Sequence, residues 1–373
     1  MDKHLKYMKL AIREAEKARG TCSPNPFVGA VIVRNDAVIA KGHTQDYGGD
    51  HAEADALKQA GKQARGASLY VTLEPCSHFG KTPACTEAII KAGIRRVFFG
   101  IRDPNPLVKG DTDNDFSTPG ILSMQYAGIE VQGGLLSEMI ELQLESYLCR
   151  TLKHRPFVIW KAALSIDGKY AANDGSARWI SNEKSRRETH RLREAADVVL
   201  TGIGTVLADD PQLHVRLKNP RHQPMIALLD PYLEIPLDAK LISGIDTNPL
   251  TIFHGKEISD QEKHDRLQAL GAILISVPAK AEKLDLISVL KLLFEQGTNS
   301  VLLECGSKLA SSFFAEKLVD KCHIFFGNKL LGGRKAILSE LPINNIKDAI
   351  ELDIKIISKL ENDIHVVAYP IFS

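Results

Sequence analysis

Four residues in the first quarter of the chain have side chains that could hold and use a transition metal. His51 opens the segment HAEADAL, and Glu53 follows two residues later. Cys76 and Cys85 belong to the segment EPCSHFGKTPAC, residues 74–85. A catalytic Zn²⁺ prefers imidazole and thiolate donors and keeps three protein ligands with one open position. One histidine and two cysteines supply that set, so the sequence predicts a catalytic zinc site.

Glu53 is predicted to move protons rather than to bind the metal. A His-x-Glu pattern followed by Pro-Cys is typical of zinc nucleobase deaminases, in which the glutamate acts as general acid and base. In that pattern two residues usually separate the cysteines, whereas eight residues separate Cys76 from Cys85. A longer loop can still return the second thiolate to the metal. We therefore interpret His51, Cys76 and Cys85 as the zinc ligands.

Each of these residues taken alone also has a structural interpretation. A lone cysteine is usually a small buried side chain, and a lone histidine is often a core or surface imidazole. His43 and Cys22 are interpreted in that way. His78 lies in the loop between the two cysteines and is an alternative ligand. The metal site is favoured because the three ligands occur together.

Alternating helices and strands surround these residues. Apolar periodicity predicts the following elements: an amphipathic N-terminal helix, a hairpin turning at Asn35 and Asp36, a helix at Ala52–Ala60, strands in ASLYVTLEP and IRRVFFGI, a helix in ACTEAIIKAG and a helix over residues 135–148. This order indicates a three-layer α/β/α domain. The acidic segment KGDTDNDFSTPG, residues 109–120, is predicted to be an exposed loop.

Chain length predicts two domains, because 373 residues are too many for one ordinary core. Pro156 precedes the apolar segment FVIWKAALSIDG, which starts a new series of strands and helices. We place the boundary near residue 150, so that the domains are 1–149 and 150–373. Both are predicted to be α/β.

The charge balance argues against a nucleic-acid or membrane partner. The chain has 47 basic and 46 acidic side chains, and no segment approaches the ~20 apolar residues of a membrane span. The six cysteines are scattered through a chain far larger than a disulfide-stapled module, so they are expected to be mostly reduced. These features predict a cytoplasmic protein that acts on a small polar substrate.

The second domain has a weaker chemical signature. Gly202 and Gly204 follow an apolar strand, as in a dinucleotide-binding turn, but Leu207 occupies the position of the third glycine. A plain turn is the better interpretation of the glycines alone. Arg193 and Arg216 could bind a phosphate through their guanidinium groups, or the basic segment KSRRETHRLR could be a solvated helix face. The spacing does not decide between these interpretations.

The segments PNPFVGAVIV, HAEADAL, VTLEPCSHFGKTPAC and DPNPLV resemble the deaminase half of the bifunctional riboflavin-biosynthesis deaminase/reductase family. In that family the longer spacing between the cysteines is normal. The resemblance implies a cytidine-deaminase-like fold, zinc on His51, Cys76 and Cys85, and Glu53 as proton shuttle. It also implies that Asn25 contacts the pyrimidine of the substrate.

The segments KAALSIDGKYAA, GSARWIS and TGIGTVLADDPQLHVR resemble the reductase half of the same family. The resemblance implies a fold similar to dihydrofolate reductase, the cofactor NADPH, a phosphorylated pyrimidine as substrate and a homo-oligomer. The implied cofactor-binding residues are Ala163, Trp179, Thr205, Asp209, Gly306 and Ser307. The implied substrate-binding residues are Arg193, Leu213, Arg216 and Glu304.

The chain departs from the family pattern at two places. Ala177 occupies the position of a serine, so one hydroxyl contact to the substrate is either missing or supplied by the neighbouring Ser176. Residues 111–119 look inserted where the family has a short turn. The sequence also allows two other functions: a deaminase of another base, including one in RNA, and a second domain that serves only as an oligomerisation platform or nucleotide sensor.

Overall fold

The computed structural model of the protein describes residues 2–77, 83–109, 118–257, 260–280 and 283–372. The chain divides into two compact units, Met1–His154 and Arg155–Ser373. His78 and nearly all of the predicted loop at residues 111–119 lie outside the described residues.

The first unit contains a five-stranded sheet in the order β2-β1-β3-β4-β5. Strand β1 pairs antiparallel with β2 and β3, whereas β3, β4 and β5 are parallel to one another. The elements are α1 (Asp2–Ala15), β1 (Gly29–Arg34), β2 (Ala37–His43), α2 (Ala52–Ala60), β3 (Ser68–Leu73), α3 (Cys85–Ala92), β4 (Arg96–Ile101), α4 (Pro106–Lys109), α5 (Pro119–Tyr126), β5 (Glu130–Gln132), α6 (Ser137–Gln143) and α7 (Glu145–Lys153).

The predicted hairpin between β1 and β2 is confirmed. Asn35 and Asp36 have φ angles of 50° and 60°, the pair of positive values that a two-residue type I′ turn requires. The helix predicted over residues 135–148 is instead two helices, because Leu144, with φ −96° and ψ 12°, ends one and precedes the next.

Helices cover both faces of this sheet. A Cβ on Gly29 would lie 2.0 Å from the carbonyl oxygen of Ala11 in α1, and a Cβ on Gly42 would lie 2.3 Å from the carbonyl oxygen of Ala52 in α2. Gly42 pairs with Ala30, the neighbour of Gly29, so the two glycines face opposite sides of the pleated sheet. This confirms the predicted three-layer α/β/α order.

The second unit contains a nine-stranded sheet in the order β10-β9-β8-β7-β13-β6-β14-β16-β15, which is parallel from β10 to β14 and antiparallel at β16 and β15. The elements are β6 (Phe157–Ser165), α8 (Glu183–Ala195), β7 (Val198–Gly202), α9 (Ile203–Asp209), β8 (Met225–Leu229), α10 (Lys240–Ser243), β9 (Leu250–His254), α11 (Gln261–Ala269), β10 (Ile273–Ser276), β11 (Ala279–Lys280), β12 (Lys283–Leu284), α12 (Leu286–Glu295), β13 (Ser300–Leu303), α13 (Ser307–Ala315), β14 (Lys321–Gly327), β15 (Glu351–Leu360) and β16 (Asp363–Ile371).

Parallel strands explain the apolar composition of the second unit. The strands β7, β8, β9 and β13 are buried along almost their whole length, as expected for strands covered on both faces. Strand β15 is different, since most of its residues are exposed. The α/β class predicted for both units is confirmed. Among the described residues, none of the helices combines the length and apolar character needed to cross a bilayer.

The close approach of α2 to Gly42 generates a prediction. In Gly42→Ala the new methyl group would meet backbone atoms of Ala52 and Ala56 at 2.3 and 2.4 Å, well inside normal contact distance. We expect the free energy of unfolding to fall by about 1–3 kcal/mol in urea titrations, as for other overpacked cores.

The matched control is Gly204→Ala, because a Cβ on Gly204 meets no atom within 4 Å. Its effect on the free energy of unfolding is expected to stay within about 0.5 kcal/mol. Equal destabilisation by the two changes would contradict the packing argument.

Candidate functional site

The three predicted metal ligands converge in the first unit. Nδ1 of His51 lies 3.5 Å from Sγ of Cys76 and 3.3 Å from Sγ of Cys85. All three donor atoms lie within 4.8 Å of one another. Ligands of a tetrahedral zinc, bound at ~2.0–2.3 Å, are themselves about 3.5 Å apart. The spacing and the chemistry of the donors therefore fit a zinc ion.

Each of the three ligands lies at or near the end of a helix or strand. His51 is the residue immediately before α2, Cys76 follows β3 after Pro75, and Cys85 is the first residue of α3. The backbone N–H of Cys85 donates to Sγ of Cys76 at 3.4 Å, and the N–H of Thr86 donates to the carbonyl oxygen of Cys76 at 3.2 Å. These two bonds hold the start of α3 against the end of β3.

Hydrogen bonds among the three ligands shift the pKa of each of them. The hydrogen bond from the side chain of Cys85 lowers the pKa of Cys76 to about 4, although burial acts in the other direction. The same hydrogen bond, together with burial, raises the pKa of Cys85 well above its usual value. The hydrogen bond to Cys76 raises the pKa of His51 to about 9. Thiolate is the form of cysteine that binds metals. Cys76 is thus held in its metal-binding form.

Glu53 lies beside this cluster in the first turn of α2. Its side chain is buried, with 4% of its surface exposed. Burial raises the pKa of Glu53 to about 7, and the charge of Cys76 acts in the same direction. The position agrees with the predicted proton shuttle, although the role stays a prediction.

A second buried carboxylate, Glu74, holds the surrounding segments together. Its Oε2 accepts a hydrogen bond of 2.6 Å from Nε of Arg102, and its Oε1 accepts one of 2.5 Å from the hydroxyl of Thr118. Arg102 follows β4, and Thr118 caps the N-terminus of α5. Glu74 thereby connects the chain just before Cys76 to both ends of the segment at residues 103–117. No pattern in the sequence predicted this role.

Asn25 lies in the loop between α1 and β1. The hydroxyl of Thr44 donates to the carbonyl oxygen of Pro26 at 2.9 Å and accepts from the N–H of Val28 at 3.0 Å, which fixes the end of this loop. The contact of Asn25 with a pyrimidine stays a prediction.

The second unit contains a cavity of about 1130 Å³ at the carboxyl ends of the parallel strands β6, β7, β8 and β13. Crevices at this edge of a parallel sheet commonly bind ligands. The volume exceeds the roughly 300–1,000 Å³ of an ordinary ligand pocket, which leaves room for a dinucleotide together with a phosphorylated sugar. All ten residues implied for the reductase line this cavity: Ala163, Trp179, Arg193, Thr205, Asp209, Leu213, Arg216, Glu304, Gly306 and Ser307.

A buried group of charges lies in the cavity wall. Nε and Nη2 of Arg193 donate to the two carboxylate oxygens of Glu304 at 2.5 and 3.1 Å, and Nζ of Lys161 lies 3.6 Å from the same carboxylate. Burial by itself would raise the pKa of Glu304, but the charges of Arg193 and Lys161 outweigh it and lower the pKa to about 2. Glu304 is therefore a carboxylate at every ordinary pH.

Several cavity residues were not predicted. Lys161 lies within the apolar strand β6, and a lysine in the middle of such a strand was the available signal. Arg186 stacks on Trp179, with its guanidinium carbon 4.5 Å from the ring centroid. Ala177 lines the cavity, whereas the hydroxyl of Ser176 donates to Asp174 at 2.7 Å. The hydroxyl of Ser176 is thus engaged in a local turn, and its contact with the substrate stays a prediction.

Comparison with known proteins identifies a family for each unit. Residues 1–101 match the family described as the cytidine and deoxycytidylate deaminase zinc-binding region. Residues 156–366 match the family described as the RibD C-terminal domain. The riboflavin biosynthesis protein RibD of Bacillus amyloliquefaciens is 38% identical, and the match covers 98% of this chain and 95% of that protein. The chain belongs to the RibD family.

Solved structures of RibD proteins have the same architecture over nearly the whole chain. RibD of Acinetobacter baumannii is 32% identical and superposes with a TM-score of 0.85, covering 99% of both chains. A Thermotoga maritima protein described as a diaminohydroxyphosphoribosylaminopyrimidine deaminase/5-amino-6-(5-phosphoribosylamino)uracil reductase is 32% identical, with a TM-score of 0.86 and 99% coverage of both chains. The resemblance seen in the sequence motifs therefore extends to both units.

Metal analysis tests the ligand set. We expect purified protein to contain about one zinc per chain, and Cys85→Ser to lose most of it, because a hydroxyl replaces a thiolate donor. Cobalt exchange gives a second readout, since thiolate-to-cobalt charge-transfer bands report on the sulfur ligands.

Cys305→Ser is the matched control, because Cys305 lies in the other unit. It should leave the zinc content and the cobalt spectrum unchanged. Full zinc retention by Cys85→Ser would exclude Cys85 as a ligand.

Proposed function

We propose that the chain is a bifunctional enzyme of riboflavin biosynthesis. It hydrolytically deaminates 2,5-diamino-6-ribosylamino-4(3H)-pyrimidinone 5′-phosphate and then reduces the ribosyl group to ribityl with NADPH. The observation that carries this proposal is the presence of both sites in one chain of the RibD family: the His51, Cys76 and Cys85 cluster with Glu53 beside it, and the reductase cavity around Glu304.

In the deaminase unit, water replaces the 2-amino group and ammonia leaves. Zinc held by His51, Cys76 and Cys85 would supply Lewis-acid activation of that water. Glu53 takes a proton from the water and returns it to the leaving amine, a role that suits a buried carboxyl next to the ligands. Asn25 orients the pyrimidine through its amide.

In the reductase unit, NADPH supplies the hydride that reduces C1 of the ribosyl group. The protein positions the two reactants and excludes water from them. The proposed cofactor contacts are Ala163, Trp179, Thr205, Asp209, Gly306 and Ser307, all of which line the cavity. Leu213 and the ion-paired Glu304 and Arg193 form part of the substrate side. The thiolate ligands, the dinucleotide and the small phosphorylated substrate are all consistent with the cytoplasm.

We further propose that the protein is a homodimer joined through strand β15. This strand is the edge of the nine-stranded sheet, and it exposes Ile354, Ile356 and Ile357 by 51, 53 and 68%. A long, apolar, open edge would promote aggregation unless it were covered. Two copies of β15 related by a two-fold axis would pair antiparallel. The acidic Glu351 and Asp353 at its start would then lie opposite the basic residues near the end of the partner strand.

A substitution at the edge strand tests the dimer. Ile356→Lys places a charge in the apolar centre of β15, so we expect the mass in analytical ultracentrifugation to fall from dimer to monomer at micromolar concentration. Ile287→Lys is the control, because Ile287 is similarly exposed, at 61%, on α12. A monomeric wild-type protein, or an Ile356→Lys protein that remains dimeric, would refute this interface.

A coupled assay tests the two activities separately. With the diaminopyrimidinone phosphate as substrate, the wild-type protein should release ammonia and consume NADPH. Glu53→Gln should lose ammonia release by a factor of 10² or more, because the amide cannot carry the proton. The variant should still reduce substrate that has already been deaminated. Ammonia release without any NADPH consumption would show that the second unit is not a working reductase.

A further inference from the structure

A short surface helix lies against the two thiolate ligands of the candidate zinc site. Helix α4 has four residues, of which three are exposed and only Val108 is buried. The side chain of Val108 is completely buried and packs against Cys76 and Cys85 in a small cluster of their own. Helix α4 is thus a surface element whose single buried side chain covers the thiolates.

Val108 differs in kind from its two neighbours in this cluster. Of the buried residues described there, it is the one that is not a candidate ligand. The apolar shell around a metal site controls how easily solvent reaches the metal and its ligands. An isopropyl group offers no hydrogen bond to water, so its contact with Cys76 and Cys85 excludes water from that side of the thiolates.

Hydrogen bonds within one turn fix the position of Val108. Its backbone N–H donates to the carbonyl oxygen of Asn105 at 2.8 Å, and the N–H of Asn105 donates to Oδ1 of Asp103 at 2.9 Å. The side-chain oxygen of Asn105 accepts from the N–H of Leu107 at 3.1 Å. Asp and Asn side chains commonly stabilise turns by accepting from the backbone two residues later. The position of Val108 therefore depends on that of Asp103.

Tyr147 holds Asp103 from a distant part of the chain. Its hydroxyl donates to Oδ1 of Asp103 at 2.8 Å, and both residues are buried. Burial raises the pKa of Asp103 to about 6, although the hydrogen bonds from Asn105 and Tyr147 act in the other direction. A buried carboxylate costs free energy unless donors such as these satisfy it. Because Tyr147 lies in α7, the last helix of the first unit anchors the segment that carries Val108.

We propose that Val108, held in place by Tyr147 through Asp103, forms an apolar cover over Cys76 and Cys85 that slows the loss of zinc and the access of small reagents to the thiolates. Tyr147 is a positioning residue, since it acts on the ligands through Asp103 and Val108. This inference rests on the proposed zinc site and adds two residues, Val108 and Tyr147, that were not among the predicted site residues.

Transfer of zinc to a colorimetric chelator tests the cover in the full-length protein. Val108→Ala leaves all three ligands in place, so it should be purified with the same zinc content as wild type. Its zinc should be released about tenfold faster or more, the scale on which the surroundings of metal ligands act. Tyr147→Phe should accelerate release by a similar factor, because a hydrogen bond to a charged group is worth roughly 10- to 100-fold in an opening equilibrium.

Val97→Ala and Tyr7→Phe are the matched controls. Val97 is fully buried in β4, and the hydroxyl of Tyr7 donates to the carbonyl oxygen of Asp36 at 2.7 Å. Both residues belong to the main core of the first unit rather than to the cluster around the thiolates. Both variants should release zinc at close to the wild-type rate. If the controls release zinc as fast as Val108→Ala, the effect is a general loss of stability and the proposal is overturned.

A double variant separates a positioning role from an independent one. If Tyr147 acts through Val108, the protein with both Val108→Ala and Tyr147→Phe should release zinc no faster than the faster single variant, because the two changes remove the same cover. Accelerations that multiply would show that Tyr147 acts elsewhere. The visible spectrum of the cobalt-substituted protein should be the same in wild type and both single variants. A changed spectrum would mean that the ligand set itself is altered, which contradicts the proposal.

Labelling with iodoacetamide distinguishes failure of this inference from failure of the proposed zinc site and deaminase. Peptide mass spectrometry of the purified full-length protein gives a rate for each cysteine. In Val108→Ala, Cys76 and Cys85 should be labelled about tenfold faster or more than in wild type. Cys22, a buried cysteine of the same unit, should be labelled at an unchanged rate. If wild type contains no zinc, the proposed metal site fails while this comparison still decides the cover. Equal labelling of Cys76 and Cys85 in the two proteins would overturn the inference.

Discussion

Both candidate sites depend on one constraint: the carboxyl ends of neighbouring parallel strands lie along the same edge of the sheet. In the first unit, Cys76 follows β3 and Arg102 follows the neighbouring parallel strand β4. In the second unit, Glu304 follows β13, and Lys161 lies near it in the adjacent strand β6. The backbone leaves the sheet at this edge, so side chains there face an open crevice rather than another strand.

Buried carboxylates stabilise these edges only because each has cationic or hydroxyl partners. A buried charge without partners costs several kcal/mol, whereas a paired one confers a defined geometry. Glu74 is paired with Arg102 and Thr118, and Glu304 is paired with Arg193 and Lys161. In both units, the pairs connect elements that are distant in the sequence.

The sequence motifs predicted much of this arrangement. The His-x-Glu and Pro-Cys patterns identified the residues whose donor atoms converge in the candidate metal site, and strong apolar periodicity located most helices and strands. Sequence-based prediction failed at Leu144, where the backbone ends one helix and another begins. The apolar periodicity continues through this residue, so the pattern predicts one long helix. The sequence also did not predict that the hydroxyl of Ser176 donates a hydrogen bond to Asp174, two residues earlier in the chain.

The sequence by itself determined which chemistry is possible, because donor types and their local spacing are properties of residue identity. It therefore specified a zinc ligand set, a neighbouring glutamate and a basic helix in an α/β chain. Only the tertiary structure decided which charged side chains form ion pairs within the protein. Arg193 and Arg216 look equivalent in the sequence, but pairing with Glu304, 111 residues away, neutralises one of them and not the other. Such pairing depends on the meeting of distant segments, which local spacing does not encode.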